Sequence, residues 1–348
     1  MDSYTSDSSD SDSYAKTLDL SYLMLDADLL NQHFTSTKDV ENIETLLLNH
    51  NRINSLPPTI SIFKNLHTLD LSNCSLTHLP DCIGESPLTC LIAKNNSLSN
   101  DSLPKTFDNV LNLRELNLSG NRLTDFPDQV LELAELKYLY LGGNMISEIR
   151  KEIWKMQKLQ VLSMGGNRLT EVPSTVGRLT ALQGLILCDN MLESLPSTVA
   201  NLKNLKSLLL HQNRLRTLPT EIITLKGLTE LSLRDNPLVV RFVSDMTHNP
   251  PSLLEIAARV IKTSNISYDD IGLPKTLIDY LNCGHRCVNP KCQGVFFDNR
   301  VEHVKFVDFC GKYRLPLLQY LCSSKCIGPR DGDEEVVSGA MIRKVLLG

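Results

Sequence analysis

The chain has 348 residues, of which 42 % are hydrophobic and only 5 % aromatic, with a single Trp. That is enough for two domains, with cores made of Leu, Ile and Val rather than aromatic anchors. A net charge of −5 without a long Lys/Arg run excludes the positive field that nucleic-acid or anionic-membrane binding requires.

Residues 1–14 (MDSYTSDSSDSDSY) are acidic, Ser-rich and low in complexity, and read as a disordered tail. Serines beside Asp suit an acid-directed kinase; a solubilising tail is the simpler expectation. No apolar leader follows the start, and no stretch approaches the roughly 18 apolar residues of a spanning helix. The expected location is the cytosol or nucleus, where the ten cysteines would be reduced or metal-bound rather than paired as disulfides.

Self-similarity dominates the next part of the chain. Residues 15–42 contain a degenerate copy, Leu18-Asp-Leu20-Ser-Tyr-Leu23-Met-Leu25, expected to cap the N-terminal end. Over residues 43–243 one frame restarts at Ile43, Leu66, Leu88, Leu113, Leu136, Leu159, Leu182, Leu205 and Leu228, in steps of 23, 22, 25 and then 23 residues. The L-x-L core has period 2, so its leucines point one way and the residues between them the other. No copy can bury its leucines alone, so stacked neighbours must complete the core. The Asn column (Asn51, Asn96, Asn121, Asn144, Asn167, Asn190, Asn213, Asn236) is expected to face inward and bond backbone groups of adjacent coils, with Cys74 standing in once. Pro57, Pro80, Pro127, Pro173, Pro196 and Pro219 open the convex segments. Arg150 breaks that rule and predicts a different segment there. The 25-residue step predicts a longer excursion around Asn100–Asn109. The template LxxLxLxxNxLxxLP is that of the leucine-rich repeat. Its fold class is α/β: a solenoid with parallel strands on the concave face, here followed by a C-terminal helical segment and a small Cys-rich, zinc-binding module.

On that concave face the central outward column runs Leu47, Asp70, Ile92, Asn117, Tyr140, Ser163, Ile186, Leu209 and Ser232. Tyr138, Tyr140, Ile186 and Leu209 are apolar where solvent is expected. Gly142-Gly143 and Gly165-Gly166 remove side chains beside them. Tyr138, Tyr140, Ser163, Ile186, Leu209, His211 and Arg234 therefore form the candidate substrate-binding surface, with Asp235 at its rim.

Residues 244–282 read as helices. Pro250-Pro251 precede Ser252, and Glu255 follows three residues later, the arrangement of a capping box. Leu253, Ala257 and Ile261 fall on one face. A plain expectation is a cap over the last repeat. The pattern Ser252-Leu253-x3-Ala257-x3-Ile261 also resembles the BC-box, the helix by which substrate receptors bind elongin C. Leu273-Pro274-Lys-Thr-Leu277-Ile-Asp-Tyr280-Leu281 is similar to the cullin box that follows a BC-box in suppressor-of-cytokine-signalling-type modules. The missing second Pro, at Thr276, departs from the strict cullin-5 form and leans toward cullin-2.

Residues 283–326 hold six of the ten cysteines. Cys287-x4-Cys292 and Cys322-x3-Cys326 have the spacing of two metal knuckles, and four thiolates would close a structural zinc shell. Cys283, His285, His303 and Cys310 are spare candidates, with Cys283 able to replace one of the first pair. Val295-Phe296-Phe297, Val304, Phe306 and Leu317 to Leu321 are expected to pack this ribbon onto the helices. Residues 327–348 look like a loosely held tail ending in a short helix. The Cys322-Ser-x-x-Cys326 ending is similar to that of repeat-type substrate receptors that also carry an elongin-binding helix.

The resemblance implies a non-catalytic substrate receptor of a cullin-RING ubiquitin ligase, with elongin C and elongin B, cullin-2 or cullin-5, and a protein substrate as partners. A scaffold or regulator whose helices only cap the solenoid is the alternative. A catalytic cysteine near Cys283-Gly-His285 has no other support, because no nucleotide, zinc-protease or hydrolase motif is present.

Overall fold

The short L-x-L cores form three-residue strands in the computed structural model, which describes residues 16–81, 83, 87–105, 107, 110–239, 251–268, 273–290, 292–309, 313–326 and 344–346. In chain order the strands are β1 (Thr17–Asp19), β2 (Thr45–Leu47), β3 (Thr68–Asp70), β4 (Cys90–Ile92), β5 (Glu115–Asn117), β6 (Tyr138–Tyr140), β7 (Val161–Ser163), β8 (Gly184–Ile186), β9 (Ser207–Leu209), β10 (Leu218–Pro219), β11 (Glu230–Ser232), β12 (His285–Arg286), β13 (Val295–Phe296), β14 (Val301–Phe309), β15 (Tyr313–Leu321) and β16 (Lys344–Leu346). The helices are α1 (Ala27–Ser36), α2 (Leu253–Thr263) and α3 (Lys275–Asn282). The described residues form two units: 16–214, 224–236 and 344–346 in one; 215–223, 237–239 and 251–326 in the other.

The first unit is a parallel sheet in the order β1 to β9, then β11 and β16. Its register aligns the middle leucines, so Leu46 pairs with Leu69 and Leu116 with Leu139, and both belong to one column. These side chains are fully buried from Leu46 to Leu208 apart from a trace at Leu91. Burying each contributes about 1.5–3 kcal/mol, and does so only because the next coil covers it.

The asparagine column behaves as its chemistry requires. Asn144 Nδ2 donates to Leu118 O and Leu141 O, both at 3.0 Å, and its Oδ1 accepts from Leu123 N at 3.1 Å. Asn167, Asn190 and Asn213 repeat this pattern. Cys74 keeps half of it, its Sγ donating to Leu48 O at 3.1 Å. The residue before each Asn, and before Cys74, turns through left-handed backbone: His50, Asn73, Asn95, Asp189, Gln212 and Asp235 all have positive φ, as do Gly120 (+67°), Gly143 (+65°) and Gly166 (+66°). At those three places glycine has no Cβ penalty, whereas the others carry it.

The convex segments are single 3₁₀ turns, five residues long at Pro58–Ile62, Asp128–Glu132, Ser174–Arg178 and Ser197–Asn201. The expectation that Arg150 changes its segment is corrected. Lys151–Lys155 forms the same turn, because Arg150 adopts φ −59° and ψ 138°, close to the −66° and 143° of Pro173. The guanidinium then bridges Asp128 Oδ1 at 2.7 Å and Glu148 Oε1 at 2.6 Å. In the 25-residue step an extra 3₁₀ turn at Asn100–Ser102 is closed by a reciprocal Ser99–Ser102 capping box.

At the N-terminal end β1 pairs in parallel with β2. The sequence pattern gave no sign of α1. Asp26 caps it by accepting from Leu29 N at 2.9 Å, and it buries Leu30 and Phe34. Phe34 meets Phe63 edge-on at 5.0 Å. The short helix expected at the end of the tail is also corrected: Lys344–Leu346 is a strand parallel to β11. The last parallel strand offers unpaired backbone groups, and a segment containing Val345-Leu346 suits that edge better than an isolated helical turn.

In the second unit β14 and β15 form an antiparallel hairpin, with β10 parallel to β15, and β12 pairs with β13. Ala258, Leu281, Val295 and Phe297 make one small buried cluster in it, with Ile261, Tyr268, Leu273 and Tyr280 packed against that cluster. The expected packing of the ribbon on the helices is therefore carried by Val295 and Phe297.

Candidate functional site

Three surfaces carry chemistry. The first is the outward face of β6 to β9. Register places Tyr140, Ser163, Ile186 and Leu209 in one row and Tyr138, Val161, Gly184 and Ser207 in the next. The first row is half-buried, neither core nor free surface. Tyr138 is oriented by its hydroxyl, which donates to Gln160 Oε1 at 3.2 Å. Burial, with Glu115 and Tyr138 nearby, raises the phenol of Tyr140, so it stays a neutral donor. A Cβ on Gly165 would lie 2.7 Å from Cys188 Sγ, so the missing side chain is what lets Cys188 lean over that strand. Among the described residues His211 Nδ1 is buried without a hydrogen-bond partner, while Arg234 is exposed. Register thus puts five of the seven expected residues, Tyr138, Tyr140, Ser163, Ile186 and Leu209, on one face, while His211 and Arg234 follow β9 and β11 outside the strands. Val161, Gly184 and Cys188 belong with them and escaped attention, although register alone places Val161 and Gly184 between named residues.

The second surface is α2. Ser252 caps it, accepting from Glu255 N at 3.1 Å. The expected capping box is only half formed. Glu255 does not turn back to Ser252; it accepts from Phe297 N at 3.2 Å and Asn299 N at 3.0 Å and pairs with Arg259 Nη2 at 2.6 Å. The helix is consequently turned with its charge inward: Glu255 is 2 % exposed while Leu253 is 85 % exposed. Leu254, Ile256, Ala257 and Val260 are exposed as well. Of the four elongin-type positions, Ser252, Leu253 and Ala257 face solvent, and Ile261 is half-buried against the core. Of the cullin-box positions, Leu281 is buried, Leu273 and Tyr280 pack on the core, Leu277 is half-buried and Pro274 is exposed. Tyr280 stacks on Phe297 at 4.8 Å and donates to Asp298 Oδ2 at 3.2 Å; burial and that carboxylate push its phenol up to about 12.

The third surface is the cysteine cluster. The sulfur atoms of Cys287, Cys292, Cys322 and Cys326 all lie within 4.8 Å of one another. Cys292 Sγ–Cys322 Sγ and Cys322 Sγ–Cys326 Sγ are both 3.5 Å. A disulfide needs about 2.0 Å. Four thiolates on one zinc at about 2.3 Å stand roughly 3.8 Å apart, so the separations fit a metal shell. Gly294 N donates to Cys292 Sγ at 3.3 Å, the outer-shell bond that steadies a metal thiolate. A Cβ on Gly294 would approach Cys322 Sγ to 2.5 Å, so no other residue fits against the sulfurs. Asn289 Nδ2 ties the two knuckles by donating to Cys326 O at 2.8 Å. Burial, followed by the neighbouring thiols, pushes the metal-free Cys322 thiol well above its ordinary range. Cys283 caps α3 and is exposed, and neither it, His285 nor His303 joins the cluster. Cys310 lies outside the described residues.

Among the described residues no helix is long and apolar enough to cross a membrane. Models of the leucine-rich repeat match residues 86–146, 111–169 and 180–238, and a second model of that repeat matches 65–86. The Arabidopsis receptor kinase HAESA, solved with a peptide hormone and a co-receptor, is similar at 27 % identity, covering 64 % of this chain and 42 % of that one, with a TM-score of 0.51. The functional domain of InlJ from Listeria monocytogenes, at 22 % identity over 66 % of this chain and 46 % of its own, has a TM-score of 0.52 and shares the fold. Leucine-rich repeat-containing protein 58 of Xenopus laevis is 58 % identical over 95 % of this chain and 97 % of its own length. Its Xenopus tropicalis counterpart is 49 % identical over 89 % and 88 %. Similarity that runs through the repeats and the Cys-rich tail alike shows that the chain belongs to the leucine-rich repeat-containing protein 58 family.

Proposed function

We propose that the chain is the substrate-recognition subunit of an elongin B/C–cullin-RING ubiquitin ligase, with cullin-2 or cullin-5 as scaffold. The observation that carries this is the orientation of α2. Within its own unit the helix buries the Glu255 carboxylate and leaves Leu253, Ile256 and Val260 exposed. An exposed row of Leu253, Ala257 and Val260 on a short amphipathic helix is suited to a groove on a partner. Leu253 would enter a pocket, and the small Ala257 would allow close approach one turn later. Pro274 and Leu277 are the cullin-box residues left outside the core for a scaffold contact.

The receptor performs no chemistry itself. The concave repeat face would hold a protein substrate over Tyr138, Tyr140, Ile186 and Leu209. Docking raises the effective concentration of substrate lysines near a charged conjugating enzyme. A zinc ion on Cys287, Cys292, Cys322 and Cys326 would be structural, because four thiolates leave no position for water.

The test in cells is affinity capture of wild type and Leu253→Ala under proteasome inhibition. Wild type should carry elongins, a cullin and at least one protein that accumulates with it. Leu253→Ala should keep that last protein and lose the ligase. Equal recovery of elongins on both forms would refute the reading.

A further inference from the structure

We infer that the four-cysteine centre acts as a metal-dependent clamp on α2, so that metal binding and presentation of the helix's exposed apolar face are linked. The docking role of that face rests on the function proposed above; the clamp itself does not. The helix has little apolar anchorage of its own. Ala258 is its one buried apolar residue, and Ile261 packs only partly. What holds it is polar and short-range. Glu255 receives Phe297 N and Asn299 N, and Arg259 Nη1 donates to Cys322 O at 2.8 Å while its Nη2 reaches Asn299 O.

Each of those groups sits next to the cysteine cluster. Cys322 is itself one of the four sulfurs. Phe297 and Asn299 follow Gly294, whose N–H donates to Cys292 Sγ and whose carbonyl accepts from Cys287 N at 2.8 Å. The segment 294–299 is therefore pinned by cysteines at one end and by the Glu255 carboxylate at the other. A hydrogen-bonded buried charge tolerates little displacement, because each lost partner leaves an unpaired ion in a dry site. Without metal the sulfurs have no common ligand. The carbonyl of Cys322 and the N–H groups of 297 and 299 then lose their fixed positions. Glu255 and Arg259 lose the frame that turns them inward, and the apolar side loses its outward presentation.

The experiment uses the full chain, loaded with zinc or stripped by a chelator, and reads amide hydrogen exchange over 253–263 together with zinc content and binding of purified elongin B/C. The expected result is about one zinc per chain and at least tenfold faster exchange in α2 after stripping. Elongin B/C binding should weaken at least tenfold and return on adding zinc. Arg259→Met separates the clamp from general unfolding of the ribbon: it should retain zinc yet exchange faster in α2. Unchanged α2 protection after stripping, or a zinc-loaded Arg259→Met indistinguishable from wild type, overturns the inference. If α2 protection follows zinc but the loaded wild type does not bind elongin B/C, the clamp stands and the ligase reading fails.

Discussion

Arg259 Nη2 lies 2.6 Å from Glu255 Oε1, and only 2 % of that Glu255 side chain is exposed. A buried pair is not by itself a large source of stability, but removing one partner strands the other. Arg259→Ala should therefore destabilise the second unit by about 3–5 kcal/mol. Glu255→Gln, which keeps shape and removes charge, should cost less. Denaturant unfolding followed at Tyr268 or Tyr280 ring signals measures both; equal, small effects would mean that the pair is not structural.

Asn144 satisfies three backbone groups at once. Asn144→Ala leaves them unpaired in a coil that water does not reach, at roughly 1–3 kcal/mol per group. Thermal unfolding of the repeat unit should show one of the largest losses of any single polar substitution in the chain. The loss should exceed that of Cys74→Ala, because the Cys74 thiol that reaches Leu48 O and Ser72 O is a weaker donor than an amide.

Arg150 holds a proline-like backbone, and its N–H donates to no group among the described residues. Arg150→Pro should gain about 0.4–1 kcal/mol through the unfolded chain. It also loses exposed ion pairs to Asp128 and Glu148, each worth about 0–1 kcal/mol. These offset each other at low salt. Raising the salt screens the pairs, so the variant should become the more stable form there. A variant less stable than wild type at every salt concentration would show that the backbone match is inadequate.

The repeats were legible because their physics is periodic: an inward Leu every second residue and one inward Asn per coil are forced by stacking. Arg150 misled because the proline rule concerns backbone angles, which arginine can also adopt when Asp128 and Glu148 hold its head. Glu255 misled for a different reason. Its spacing from Ser252 matched a local cap, but its partners, Phe297 N and Asn299 N, lie 42 and 44 residues away. No local pattern reports which side of an amphipathic helix meets the core when a buried carboxylate reverses it. The four metal-type cysteines were legible by spacing. Gly294 was not, since its need for hydrogen at Cα follows from where Cys322 Sγ arrives in space.

Metal uptake should depend on pH. Burial and the adjacent thiols raise the Cys322 thiol, so that ligand holds its proton in the metal-free chain. Zinc must displace those protons. Apparent affinity should therefore rise with pH and fall on acidification. Zinc titrations in buffers of different ionisation enthalpy should show proton release, and Cys322→Ser should abolish high-affinity uptake. Affinity independent of pH would argue against thiol ligation.

The partner face of the repeats should be separable from stability. Tyr140 is half-buried and not part of the column of leucines, so Tyr140→Ala should cost no more than about 1 kcal/mol. Proteins captured by the repeats should nevertheless be depleted while elongin binding is unchanged. Undiminished capture would place the substrate elsewhere.

The central claim is that the exposed side of α2 docks elongin C. Titration of purified elongin B/C into the zinc-loaded full chain tests it most directly, with Leu253→Ala and Ala257→Phe as comparisons. Both side chains are exposed, so the variants should keep wild-type thermal stability. The account predicts saturable one-to-one binding for wild type and at least a tenfold loss for each variant. No binding by a folded, zinc-loaded wild type, or equal binding by all three, would contradict it.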